Sequence, residues 1–202
     1  MDGDRFAFGG EIAWRPTDEY VRRSRLTAFM ARHGLNDHAD LLQRSISDPE
    51  WFWPAVLDDL GIEFYAPYHQ VLDTSQGIAW ARWCVGGRLN IVHNCLDKWI
   101  GTPTEHKAAL HWEGEEGLTR SLTYGELARE VSRCANALRA LGVAQGDRVA
   151  LFMPMSPEVV AAFFAVIKLG GIVLPLFSGY GAEAVATRLR DSEAVVLVTA
   201  DG

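Results

Sequence analysis

Gly179-Tyr180-Gly181-Ala182-Glu183-Ala184 sits between two apolar runs near the end of the chain. It fits G-x-G-x-x-A, in which close glycines let a backbone approach a pyrophosphate and the next helix N-terminus attracts its charge. Asp201 follows about 20 residues later, where an acid can bond a ribose hydroxyl. A nicotinamide dinucleotide such as NAD is the ligand this spacing would take. A single match of this kind also arises from an ordinary turn, with Gly179 supplying only backbone freedom.

Little else in the chain has the spacing of a reactive site. His33 and His38 are not at helical metal spacing, and His93 has no evident partner. Cys84, Cys95 and Cys134 form no C-x-x-C pair; so few and an odd number argue against a disulfide framework or a zinc site and for a reducing cytoplasm. No catalytic or metal-ligating residue is assigned. Arg22-Arg23 and Arg25 stand beside Asp18-Glu19 and read as a solvated helix face, not a phosphate site. With a formal charge of −7, nothing suggests a nucleic-acid surface. No leader peptide and no apolar run of about 18 residues is seen, so neither secretion nor a membrane span is expected.

The elements that must position the glycines follow from apolar patterning. After the turn Gly146-Asp147, Arg148 to Met153 is a continuous apolar run of strand length, as in a sheet covered on both faces. Ser156-Pro157-Glu158 carries three helix-start signals, and the helix from Pro157 to Leu169 is apolar nearly all round. Gly170-Gly171 ends it. Ile172 to Leu176 is a second strand, Ala182 to Asp191 a shorter amphipathic helix, and Ala194 to Val198 a third strand. Strands separated by helices favour parallel pairing with right-handed crossovers. Such sheets bind ligands beyond the carboxyl ends of their strands.

Upstream the chain is mostly helical. Thr17 to His33, Asp37 to Ser45 and Asn90 to Trp99 read as helices. Ser47 and Glu50 stand at capping-box spacing before Trp51-Phe52-Trp53, a dense aromatic run read as core, with Pro54 expected to kink or interrupt its helix. Ile62 to Leu72 is extended. Lys107 to Trp112 and Leu118 to Leu122 read as a hairpin. Thr123-Tyr124-Gly125-Glu126 is a capping box opening a helix whose apolar stripe is Leu127, Val131, Cys134, Leu138 and Leu141.

Several of these segments are similar to the early part of AMP-forming acyl-CoA synthetases, within the adenylate-forming superfamily. They include Thr123-Tyr124, Glu126-Leu127, Ala135-Asn136, Gly146-Asp147-Arg148-Val149, Met153-Pro154-Met155-Ser156-Pro157-Glu158 and Thr199-Ala200-Asp201. Trp83-Cys84-Val85-Gly86-Gly87-Arg88-Leu89-Asn90 and Asn94-Cys95-Leu96-Asp97 resemble the N-terminal extension of the acetyl-CoA synthetase branch.

The resemblance implies an α/β fold. Residues 1–105 would be a mostly helical N-terminal extension, and residues 106–202 the incomplete start of an AMP-binding domain, namely its first β-α-β-α-β portion. It implies a two-step ligase: a short-chain carboxylate, acetate first, attacks the α-phosphate of ATP, and coenzyme A then displaces AMP. ATP, coenzyme A and magnesium belong to the whole enzyme. The phosphate loop and catalytic lysine of the family would lie beyond Gly202, so this chain alone is expected to be inactive. One contact transfers by position: Gly179 matches a glycine that lies against the coenzyme A nucleotide, although Ser178 replaces the family's preceding glycine and Gly181-Ala182 its Ser-Pro. The alternatives are a dinucleotide-binding domain using Gly179, Gly181 and Ala184, and a non-catalytic interaction module.

Overall fold

The structure, a computed structural model, describes residues 14–200. The chain divides into two compact units. One comprises residues up to Ile62 with Gln70–Val85; the other comprises Glu63–His69 with everything from Gly86 on.

The first unit begins with α1 (Asp18–Arg23) and α2 (Arg25–Arg32), where the sequence predicts one helix. Ser24 divides them. It takes an extended backbone (φ −70°, ψ 143°) and its hydroxyl accepts from the Thr27 amide at 3.1 Å. A serine offers the backbone this local alternative to continued helix. After α3 (His38–Ser47) comes α4 (Pro49–Asp59), which runs through Pro54 without interruption. Its cap is Asp48, which accepts from Trp51 N at 3.1 Å; Ser47 instead closes α3. The predicted capping box therefore does not form: the cap lies one residue later, and its third residue, Trp51, has no side-chain acceptor to reach back.

The strands β1 (Gln70–Asp73) and β2 (Arg82–Val85) pair antiparallel. β2 was not evident in a sequence read as helical leader. Trp51, Phe52 and Trp53 are not core as expected: Trp51 and Phe52 are half-buried and Trp53 is exposed. Phe29, Leu41 and Val71 supply the buried apolar contacts of this unit. The aromatics form a layer around Phe29, with ring centroids 6.4 Å (Trp51) and 6.5 Å (Phe52) away, while Trp53 meets Trp83 edge-on at 5.4 Å.

In the second unit, α5 (Ile91–Cys95) stops at Leu96 and gives way to a 3-10 turn, Asp97–Trp99, where one helix was predicted. The hairpin β3 (Ala108–Glu113) and β4 (Thr119–Thr123) leads into α6 (Tyr124–Ala140). The capping box forms: Thr123 Oγ1 accepts from Glu126 N at 3.2 Å, and the Glu126 carboxylate accepts from Thr123 N at 2.8 Å. Leu127, Val131 and Leu138 are buried as the stripe predicts, joined by Ala128 and Ala135. Leu141 is 70% exposed, because the helix has already reached its cap there.

The rest is β5 (Arg148–Phe152), α7 (Pro157–Lys168), β6 (Ile172–Pro175), α8 (Ala182–Ser192) and β7 (Val196–Thr199). The three strands are parallel in the order β6-β5-β7, as expected from their alternation with helices. Side chains of β5 alternate between two faces. Val149 and Leu151 pack in a cluster with Val131, Leu138, Ala165 and Val166 of α6 and α7. Ala150 packs with Leu176 and Val185, and with Phe152, Tyr180 and Leu189 on the α8 side. This two-sided burial explains the continuous apolar run. α7 buries mainly small residues, Ala162 and Ala165 with Val166, while Phe163 remains 41% exposed.

Candidate functional site

The chain leaves β5 toward β6 on one side and then crosses to β7 on the other, so the strand order reverses at β5. Crevices beyond the carboxyl ends of strands at such a reversal are the usual ligand sites of parallel sheets. Two loops border this edge: residues 153–156 after β5 and residues 176–181 after β6.

The first loop is held by the hairpin. Trp112 Nε1 donates to the Met155 carbonyl at 2.7 Å, and Arg120 pairs with Glu158 at 2.7 Å in the first turn of α7. Ser156 makes no side-chain cap bond of the predicted kind. Its hydroxyl bonds Glu158 and, with Arg120, holds that carboxyl below the usual glutamate range.

The second loop carries Gly179. Leu176 N donates to Leu151 O at 2.9 Å and Tyr180 N to Phe177 O at 3.0 Å, closing a turn. Gly179 is exposed and lies outside the left-handed region, so it is not a turn glycine in the conformational sense. A Cβ there would lie 2.6 Å from Cε1 of the exposed Phe177 ring, which would have to turn aside. The Phe177 ring meets Tyr180 edge-on at 5.6 Å, and the Arg188 guanidinium lies 4.1 Å from the Tyr180 centroid. Gly181 caps α8 without a side-chain bond, leaving the first amides of that helix uncapped by protein side chains.

The dinucleotide reading does not survive this geometry. Gly181 has φ −71° and open space around its Cα, so neither glycine makes the tight turn that the fingerprint needs. The first glycine also comes well after β6 has ended. Asp201 lies outside the described residues.

The second unit is tied together by polar residues whose partners the sequence did not reveal. Asn94 is buried and exchanges two bonds with the Glu63 backbone: Glu63 N donates to Oδ1 at 2.8 Å, and Nδ2 donates to Glu63 O at 2.9 Å. His93 Nε2 lies 2.7 Å from Glu63 Oε2, and that bond lowers the Glu63 pKa. Asn90 caps α5 and donates to the Ile167 carbonyl at 2.9 Å, in the last turn of α7. Of these, Asn90 alone had a local signal, a capping side chain before an apolar run. The Gly86-Gly87-Arg88-Leu89-Asn90 run is structural: Tyr65 N and Ala66 N donate to Arg88 O, and Arg88 N to Ala66 O. Cys84, Cys95 and Cys134 are free thiols, and burial pushes those of Cys84 and Cys134 up.

A family model described as AMP-binding enzyme matches residues 97–202, more than half of the chain. The chain belongs to the AMP-binding enzyme family. The preceding residues, 38–95, match the model described as acetyl-coenzyme A synthetase N-terminus. The chain is 41% identical over 176 residues to acetyl-coenzyme A synthetase of Mycobacterium tuberculosis, covering 87% of this chain and 26% of that protein. It is 40% identical over 171 residues to 3-hydroxypropionyl-coenzyme A synthetase of Sulfurisphaera tokodaii, covering 85% and 26%. Among solved structures, acetoacetyl-CoA synthetase from Streptomyces lividans superposes with a TM-score of 0.84 at 33% identity, over 94% of this chain and 30% of that one. The chain thus spans about a quarter of the length of these curated relatives. Its α/β fold resembles the N-terminal part of an adenylate-forming enzyme. No helix among the described residues is long and apolar enough to cross a membrane.

Proposed function

We propose that this chain is the N-terminal part of an AMP-forming acyl-CoA synthetase of the acetyl-CoA synthetase branch. The observation that carries this is the order of the matches: a synthetase N-terminus model over residues 38–95 runs directly into an AMP-binding enzyme model from residue 97. Residues 1–105 would form the extension and residues 106–202 the opening of the adenylating domain. In the reaction, a carboxylate oxygen attacks the α-phosphorus of ATP and pyrophosphate leaves. The coenzyme A thiolate then attacks the acyl carbon and AMP leaves. A short-chain acid is the substrate, acetate first; the relatives above are named for acetyl, 3-hydroxypropionyl and acetoacetyl coenzyme A. The cytoplasm is its compartment.

This part of the enzyme contributes a surface for the coenzyme A nucleotide. Gly179 is exposed in the loop after β6, with the Phe177 ring against one side of it, and a ligand at the carboxyl edge of the sheet would meet its other side. Among the described residues no group of three or more His, Cys, Asp or Glu could hold a metal ion.

The test uses the protein expressed from its entire reading frame. Gly179→Val must displace the Phe177 ring, so its melting temperature is measured alongside; the variant is expected to raise the coenzyme A KM while acetate-dependent exchange of pyrophosphate into ATP continues. Equal loss of both half-reactions at an unchanged melting temperature would remove Gly179 from the coenzyme A surface.

A further inference from the structure

We infer that Arg188 is a positioning residue for the coenzyme A loop, acting through Tyr180; this rests on the reading of Gly179 given above. The loop, residues 176–181, is exposed except at Leu176 and Tyr180, whose amides make the two backbone hydrogen bonds that close it. What gives it a fixed shape beyond those bonds is a series of stacked groups. Arg188 reaches back along α8, its Nη1 donating to the Ala184 carbonyl at 2.9 Å. That bond holds the guanidinium plane over the Tyr180 ring, 4.1 Å from its centroid. Tyr180 is half-buried against the cluster of Ala150, Leu176 and Val185, so its ring is a firm base. Phe177 meets that ring edge-on at 5.6 Å and lies across Gly179, 2.6 Å from where a Cβ would stand. Phe177 is itself 68% exposed, so Tyr180 is the support that orients it.

Arg188 therefore sets the backbone presented at Gly179 without touching the ligand there. A planar cation over a ring is the geometry of a cation–π contact, which arginine makes through its flat guanidinium. The rival is that Arg188 meets a coenzyme A phosphate directly as a charge. The two differ in whether Tyr180 is needed for the effect of Arg188.

The test is a titration of the protein expressed from its entire reading frame with coenzyme A, followed by the amide resonances of the loop and, as a fold control, of β5. In the wild type the Gly179 amide is expected to shift saturably. Arg188→Gln should raise the apparent Kd about two- to fivefold, the range of an exposed cation–π contact. Tyr180→Leu should raise it at least as much, and the double variant no further than Tyr180→Leu. Tyr180→Phe, which keeps a ring face beneath the guanidinium, should recover most of the loss. Multiplying effects in the double variant would overturn the inference in favour of direct charge contact. An unchanged Kd in Arg188→Gln, with Gly179 still shifting, would overturn it and leave the coenzyme A loop standing. No shift at Gly179 in the wild type would overturn the loop reading and this inference together.

Discussion

The Nζ of Lys168 lies 2.7 Å and 2.6 Å from the two carboxylate oxygens of Asp97, joining the last residue of α7 to the 3-10 turn that follows α5. Both side chains are about 30% exposed, so the pair is only partly screened by water. Asn90 reaches the same helix end, donating to the carbonyls of Ile167 and Lys168 at 2.9 Å and 3.3 Å. The turn of α7 that leads into β6 is thus held by polar contacts from residues 90–97.

Asp97→Ala is therefore expected to destabilise the fold by about 1–2 kcal/mol, between an exposed pair and a buried one. Urea unfolding of Asp97→Ala, Lys168→Ala and the double variant checks this. A coupling energy near zero in that cycle would mean that the two groups do not stabilise one another.

Thr123→Ala is expected to cost about 1 kcal/mol, the usual loss on removing a hydroxyl N-cap. Glu126 is held below the usual glutamate range chiefly by the Thr123 amide, then by the Thr123 hydroxyl. Equilibrium unfolding and helical circular dichroism of the variant are the measurements.

Glu193 ends α8 in the left-handed region at φ 52°, where a β-carbon is unfavourable. Arg148 compensates by donating to the carbonyls of Ser192 and Glu193 at 2.8 Å and 2.9 Å. Glu193→Gly should raise the melting temperature, by a gain of about 1 kcal/mol, since glycine accepts this conformation freely. A lowered melting temperature would mean that the Glu193 carboxylate contact to Arg148 at 3.2 Å outweighs the backbone relief.

Asp73 accepts from the Ser75 amide at 2.9 Å and pairs with Arg82, and its pKa falls from 3.8 to about 2. A carboxyl depressed in the folded state adds stability that is complete above its unfolded pKa and is lost as pH falls through the folded one. The stability advantage of wild type over Asp73→Asn should therefore be constant above about pH 4, shrinking from there and gone below about pH 2. Denaturant titrations at stepped pH read this difference directly.

What was legible in the chain was what local pattern dictates. The parallel strands followed from apolar runs punctuated by glycine, and the Thr123 box from two residues three apart. Ser24 stands among Arg22, Arg23 and Arg25 in a segment patterned as one solvated helix face, and only its hydroxyl, bonded to Thr27, marks the break. β2 has no local signal because residues 74–81, which join it to β1, are longer than a hairpin loop. Arg188 could not be found by pattern: only the fold brings its guanidinium over Tyr180, and Lys168 over Asp97, 71 residues away. Gly179 is marked in the sequence by likeness of motif, while the Phe177 ring beside it is visible only in the structure.

The most direct measurement is a parallel titration of the protein expressed from its entire reading frame with coenzyme A and with NADH, read at the amides of residues 177–181. Saturable shifts centred on Gly179 with coenzyme A, and none with NADH, are the expected result. Saturable shifts with NADH and none with coenzyme A would contradict the account.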